Sequence, residues 1–198
     1  IIHSSKGEDE NTIIQSLIKK ALVDTESATA LMLLIELDWS ITYIDSINLV
    51  LRTLVDKGDN RAASFLGRML LEQKDYKTSV RILDLADKLD DVIIDKVISI
   101  IKDAQCPENI INSFVNIIKK HARLDNSYAN YQIALAYKEG IGMPQDNMMA
   151  FVHITMASAR VYGHERDKLI KLRDELRGVL NEEEISNAQK IIRKNYVN

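Results

Sequence analysis

The sequence predicts an all-α protein, a right-handed α-solenoid of stacked helical hairpins. Three observations carry this reading. Apolar residues recur at i, i+3/i+4 spacing along most of the 198 residues, as expected for helices with one buried stripe each. Glycine occurs 7 times and proline 2 times, too few for the turns of an all-β fold; Leu, Ile, Ala, Lys, Asp and Glu dominate instead, a mixture that favours helix. Corresponding helix positions also recur at a spacing of about 33 to 34 residues, a period at which each hairpin buries its apolar face only against its neighbours.

After a polar, frayed start over residues 1–10, Ile13, Ile14, Leu17, Ile18, Ala21 and Leu22 space a first amphipathic helix. Helices follow over 25–37 and 41–55, the second carrying Ile44, Ile47, Leu51 and Leu54, before the break at Asp56-Lys57-Gly58-Asp59. Helices over 61–72 and 76–89 form the next hairpin, with Asp75 as N-cap. Those over 91–103 and 108–121 repeat it, and Pro107 opens the second where its missing N–H costs nothing.

Helices over 127–138 and 147–161 flank the corner Gly140-Ile141-Gly142-Met143-Pro144-Gln145-Asp146. Glycine closes a helix in the left-handed region, Pro144 forbids continuation, and Asp146 caps the next helix. A helix over 164–177 keeps Leu169, Leu172 and Leu176 on one face, with Gly178 as its stop. Asn181-x-x-Glu184 then has capping-box form ahead of Ile185, Ala188, Ile191 and Ile192. The period shows in Leu66-Gly67 and Ile133-Ala134, 67 residues apart, with Met32 and Ile100 one unit before and one unit after Leu66.

Within that frame, Ala129-x3-Ile133-Ala134-x2-Tyr137-x2-Gly140-x-Gly142-Met143-Pro144-Gln145-Asp146-x3-Ala150-x6-Ala157 resembles the Sel1-like repeat, a relative of the tetratricopeptide repeat. Small residues at Ala134, Ala150 and Ala157 allow close helix approach, while Ile133 and Tyr137 fill the space between hairpins. The chain departs from the family at His153, where tryptophan is usual, at Ala134, where glycine is common, and at Gly163, a late closing glycine. Leu172–Leu176 and Asn181–Lys190 resemble the charged helices that follow a last Sel1-like unit. Ala63-x2-Leu66-Gly67-x2-Leu70, with Asp75, Ser79 and Ala86, looks more tetratricopeptide-like, and residues 25–57 and 91–121 match only by hairpin length. The resemblance implies tetratricopeptide-like hairpins over 11–124, continuous with a Sel1-like repeat and terminal helices over 125–198.

Composition narrows the function classes. A net charge of −3 gives no electrostatic reason to expect nucleic-acid binding, and no apolar run reaches the roughly 20 residues that span a bilayer. The single Cys106 excludes an internal disulfide framework and reads as a small residue at a hairpin start. Because the chain begins at Ile1, a fragment or processed form is expected. Bacterial cytoplasmic, periplasmic and secreted settings all remain open. Gly140-x-Gly142 follows a helix rather than a strand, so it is a structural joint and not a phosphate cradle. His3, His121, His153 and His164 sit in no nucleophile-elbow context, and no metal-ligand spacing or cofactor motif stands out. Glu182-Glu183-Glu184 at a helix start and Lys119-Lys120-His121-x-Arg123 at a helix end suit the helix dipole.

The resemblance to tetratricopeptide units places partner-contacting positions on the first helix of a hairpin, off the packing stripe. These are Tyr128, Tyr131, Gln132, Leu135 and Lys138 in the last unit, and Arg61, Ser64, Arg68 and Leu71 in the earlier one. Tyrosine and arginine combine apolar area with directed hydrogen bonds, although the same positions also suit solvation or packing between repeats. Trp39 is expected to be a packing anchor. The function expected is a non-catalytic scaffold that binds a peptide or protein surface without cofactor, in settings that Sel1-like proteins suggest: envelope regulation, secretion or host interaction. The alternative is a regulatory or docking domain of a larger enzyme, and an open solenoid end would allow self-association.

Overall fold

A computed structural model describes residues 12–13, 15–24, 28–30, 44–123 and 126–197. Most of the helix expected over 25–37, the start of that over 41–55, and Trp39 lie outside the described residues. The described residues contain helices and turns and no strand. They form two compact units, Ile1–Lys88 and Leu89–Asn198.

In the first unit, α1 (Ile44–Asp56), α2 (Asn60–Glu72) and α3 (Tyr76–Leu83) pack in sequence order. Ala21, Ile47, Val50, Leu51, Leu54, Leu66 and Leu70 share one core, drawn from the stripe that the helical period sets on each helix. Asp59 accepts the amides of Arg61 and Ala62, and Asp75 accepts that of Thr78, so the first donors of α2 and α3 are satisfied. The two helices approach closely at Gly67. A Cβ there would overlap the fully buried Leu83 side chain, standing 2.5 Å from its Cγ. The buried Ser79 hydroxyl donates to the Gly67 carbonyl at 3.1 Å. The helix expected to reach Leu89 stops at Leu83. Asn60 Nδ2 donates to Asp87 and Ser64 Oγ to the Lys88 carbonyl, and these bonds hold the end of the unit alongside α2 instead of in a helix.

The second unit contains α4 (Asp91–Lys102), α5 (Glu108–Arg123), α6 (Ser127–Glu139), α7 (Asn147–Ser158), α8 (Gly163–Val179) and α9 (Glu182–Val197). Helix α7 packs on α6, α8 and α9, and accordingly buries Ala150, Phe151, Val152, Ile154, Met156 and Ala157 nearly all round its circumference. Ala134, Leu169, Leu176 and Ala188 complete that core.

The glycine corner is a joint in two senses. Gly140, at φ 69°, closes α6 as a left-handed cap, and the Asp146 side chain accepts the Met149 amide to open α7. Gly142, at φ 67°, packs against the preceding hairpin: a Cβ would lie 2.5 Å from Ile101 Cγ2 and 3.1 Å from Val115 Cγ2. At the C-terminal end, the Asn181 amide donates to Glu184 and the Glu184 amide to Asn181, each at 2.9 Å. This is the reciprocal capping box read from the sequence. Gly178, expected as a stop, lies inside α8, which continues to Val179. The helix expected to end at Val161 ends at Ser158.

Candidate functional site

The second unit carries a surface groove of about 510 Å³, bordered by the start of α4, by α6 and by α8. Its lining includes Asp91, Tyr128, Tyr131, Glu165, Lys168 and Leu169. Tyr131 packs against the α7 core with Leu169, and the rings of Tyr128 and Tyr131 lie 6.2 Å apart at 52°, a tilted pair. One wall is therefore aromatic and supported from behind.

The other wall is acidic. Tyr128 donates its hydroxyl to Asp95 Oδ1 at 2.5 Å, and Gln132 Nε2 donates to the same oxygen at 3.1 Å and to the Tyr128 hydroxyl at 3.0 Å. Burial of the phenol, reinforced by its bond to the negative Asp95, pushes the Tyr128 pKa up to about 12. Burial also raises the Asp91 carboxyl above its ordinary value, and the charges of Asp95, Asp90 and Glu165 push it further in the same direction. Neither Asp91 nor Glu165 enters an ion pair within the described residues.

The positions expected on the last hairpin divide between two places. Tyr128 and Tyr131 line the groove, and Gln132 joins it through Asp95. Leu135 is half-buried. Lys138 borders a separate cavity of about 280 Å³ with Glu175 and Val179, its ammonium 3.8 Å from Glu175.

In the first unit, Arg61 is held by Asp59 at 2.9 Å, Ser64 bonds the Lys88 carbonyl, and Arg68 is half-buried. Leu71 is a correction. It is 1% exposed, because α2 buries Met69, Leu70 and Leu71 together, and it offers no surface to a partner. Asp91, Asp95, Glu165 and Lys168 were not singled out from the sequence. The signal that could have found Asp95 is its distance from Tyr128, 33 residues, which is one repeat.

His153 belongs to the packing of α7 on α6, within one hairpin. Its Nδ1 lies 2.9 Å from Asn130 Oδ1, while the fully buried Asn130 donates through Nδ2 to the carbonyls of Ala122 and Asn126. Because Asn130 Oδ1 can only accept, Nδ1 carries the proton. The ring stacks on Tyr137 at 5.7 Å and 19°, and Lys119 Nζ lies 4.9 Å from the Tyr137 centroid. Burial, then the charges of Lys119 and Arg123, push the His153 pKa down to about 4, so the imidazole is neutral at pH 7. The buried Cys106 thiol is raised, first by burial and then by Asp103, the reverse of an activated nucleophile. Among the described residues no three His, Cys, Asp or Glu side chains converge as a metal site. No described helix is long and apolar enough to cross a membrane.

No family model matches the chain, and no curated protein matches it. Among solved structures it is similar to the crystal structure of c5321, described as a protective antigen present in uropathogenic Escherichia coli strains displaying an SLR fold. The TM-score is 0.57 and the identity 14%, over 86% of this chain and 37% of that one. The chain thus spans little more than a third of the protein it matches. The architecture is that of the Sel1-like repeat, an α-solenoid of stacked hairpins.

Proposed function

We propose that this protein is a non-catalytic interaction module whose groove between α4, α6 and α8 receives a segment of a partner protein. The observation that carries the reading is the aromatic wall of Tyr128 and Tyr131, supported by the α7 core and set in an open groove of about 510 Å³. Rigid tyrosines lose little conformational entropy on binding and supply both apolar area and polar atoms. In solenoids the first helices of successive hairpins line one continuous surface, and α4, α6 and α8 alternate with α5 and α7 as such helices would. A free-standing scaffold and a docking domain of a larger enzyme would use this surface alike. Arg61, Ser64 and Arg68 are proposed as contacts in the first unit.

The test is a selection of random displayed peptides against the full chain, with amide chemical shifts of the complexes recorded by NMR. Shifts clustered at Asp91, Tyr128, Tyr131, Glu165 and Leu169, and abolished by Tyr131→Ala, are the expected result. Shifts confined to other surfaces would refute the assignment of the groove.

A further inference from the structure

Resting on that reading, we infer that the groove selects partner segments carrying a basic side chain, arginine before lysine, seated between Tyr131 and the carboxylates of Asp91 and Glu165. The inference comes from charge set beside aromatic surface. Asp91 and Glu165 both line the groove, on α4 and α8, and each presents an ion-pairing group that no described cation takes up. Three acids crowd the Asp91 carboxyl: after burial, the charges of Asp95, Asp90 and Glu165 raise its pKa. A cation placed there relieves repulsion already present in the free protein, so the gain is larger than for an isolated exposed pair.

Asp95 is committed to Tyr128 and Gln132, which fixes the phenol, and the half-buried ring of Tyr131 lines the groove beside it. A guanidinium can stack on an aromatic ring and donate N–H groups to carboxylates at once, whereas an ammonium acts only as a point charge. The open groove admits an extended chain whose long basic side chain lies along Leu169 and Val161.

The experiment uses the peptides selected against the full chain, resynthesised with each arginine or lysine replaced by citrulline, and titrated by fluorescence anisotropy. The selected pool is expected to be rich in arginine. Citrulline replacement, which removes one cation–π contact and two ion pairs, and the double substitution Asp91→Asn with Glu165→Gln, which removes the ion pairs alone, are each expected to weaken binding roughly tenfold. Circular dichroism verifies that the double variant is folded, and the citrulline arm leaves the protein untouched.

Peptides that bind in the groove without basic residues, or that tolerate citrulline, overturn the charge selection and leave the groove assignment standing. Peptides that map elsewhere, or a selection yielding nothing above a Tyr131→Ala control, overturn both.

Discussion

The Tyr128 hydroxyl and the Asp95 carboxylate meet at 2.5 Å across 33 residues of sequence. The separation equals the repeat period read from Leu66 and Ile133, so the bond joins equivalent positions of consecutive hairpins. A repeat protein gains cohesion from such nearest-neighbour contacts, and here one of them also orients a groove tyrosine.

Tyr128→Phe keeps the ring and removes the hydroxyl. The bond is exposed and Gln132 still reaches Asp95 at 3.1 Å, so the loss of stability is expected to be only about 0.5–1 kcal/mol in urea denaturation. The selective readout is spectroscopic. In wild type Tyr128 ionises late, at about 12, and its phase is expected to vanish from the ultraviolet titration of the variant. Because the folded pKa lies above the unfolded value, the associated stability is present below pH 10 and lost as pH rises toward about 12.

Two glycines inside helices should respond to alanine in opposite ways. At Gly67 the new Cβ would overlap Leu83, which is 0% exposed and cannot swing away. Gly67→Ala is expected to lose about 1–3 kcal/mol from overpacking, offset by at most about 1 kcal/mol of helix propensity. Gly178 lies within α8 with nothing within 4 Å of a Cβ, so Gly178→Ala is expected to gain about 0.5–1 kcal/mol. Thermal melts of the two variants check the signs, and a destabilised Gly178→Ala contradicts the open surroundings described.

The same comparison ranks the corner glycines. Gly140→Ala forces an alanine into the left-handed region but meets only ordinary contacts at 3.6 Å, an expected cost of about 1–2 kcal/mol. Gly142→Ala carries the same backbone penalty and also drives a methyl into Ile101 and Val115, adding about 1–3 kcal/mol. Denaturation midpoints should fall in the order wild type, Gly140→Ala, Gly142→Ala. Equal midpoints would mean that the corner is not seated on α4 and α5.

What the sequence made legible was local. The capping box at Asn181 and Glu184, the caps at Asp75 and Asp146, and the left-handed cap at Gly140 each depend on residues within one turn, whose chemistry is sufficient to define them. Leu71 was misplaced because the helical stripe gives the mean direction of burial and not its width: α2 buries Met69, Leu70 and Leu71 on a broad arc. Gly178 was misread because a glycine closes a helix only where the backbone turns left-handed, and here it does not. The acidic wall at Asp91, Asp95 and Glu165 comes from α4 and α8, and the tyrosines from α6. No single window of sequence contains it, although the repeat register connects Asp95 to Tyr128.

His153 makes the second unit sensitive to acid. Its folded pKa of about 4 lies below the ordinary 6.5, so between those values the unfolded chain binds the extra proton and stability falls as pH falls. The slope from this group should approach about 1.4 kcal/mol per pH unit within that window, with a total on the order of 3 kcal/mol. Nδ1 already donates to Asn130 Oδ1 at 2.9 Å, so the added proton must sit on Nε2, in the field of Lys119 and Arg123, which oppose it. His153→Asn tests this directly, because its Nδ2 takes the place of Nδ1 and retains the bond to Asn130 while removing the titrating ring. Some stability should be lost at pH 7 with the stacking on Tyr137, but the variant's stability should change less between pH 7 and pH 4.5 than that of wild type. Urea titrations at several pH values measure both, and parallel pH profiles for the two proteins would exclude His153 as the source of the slope.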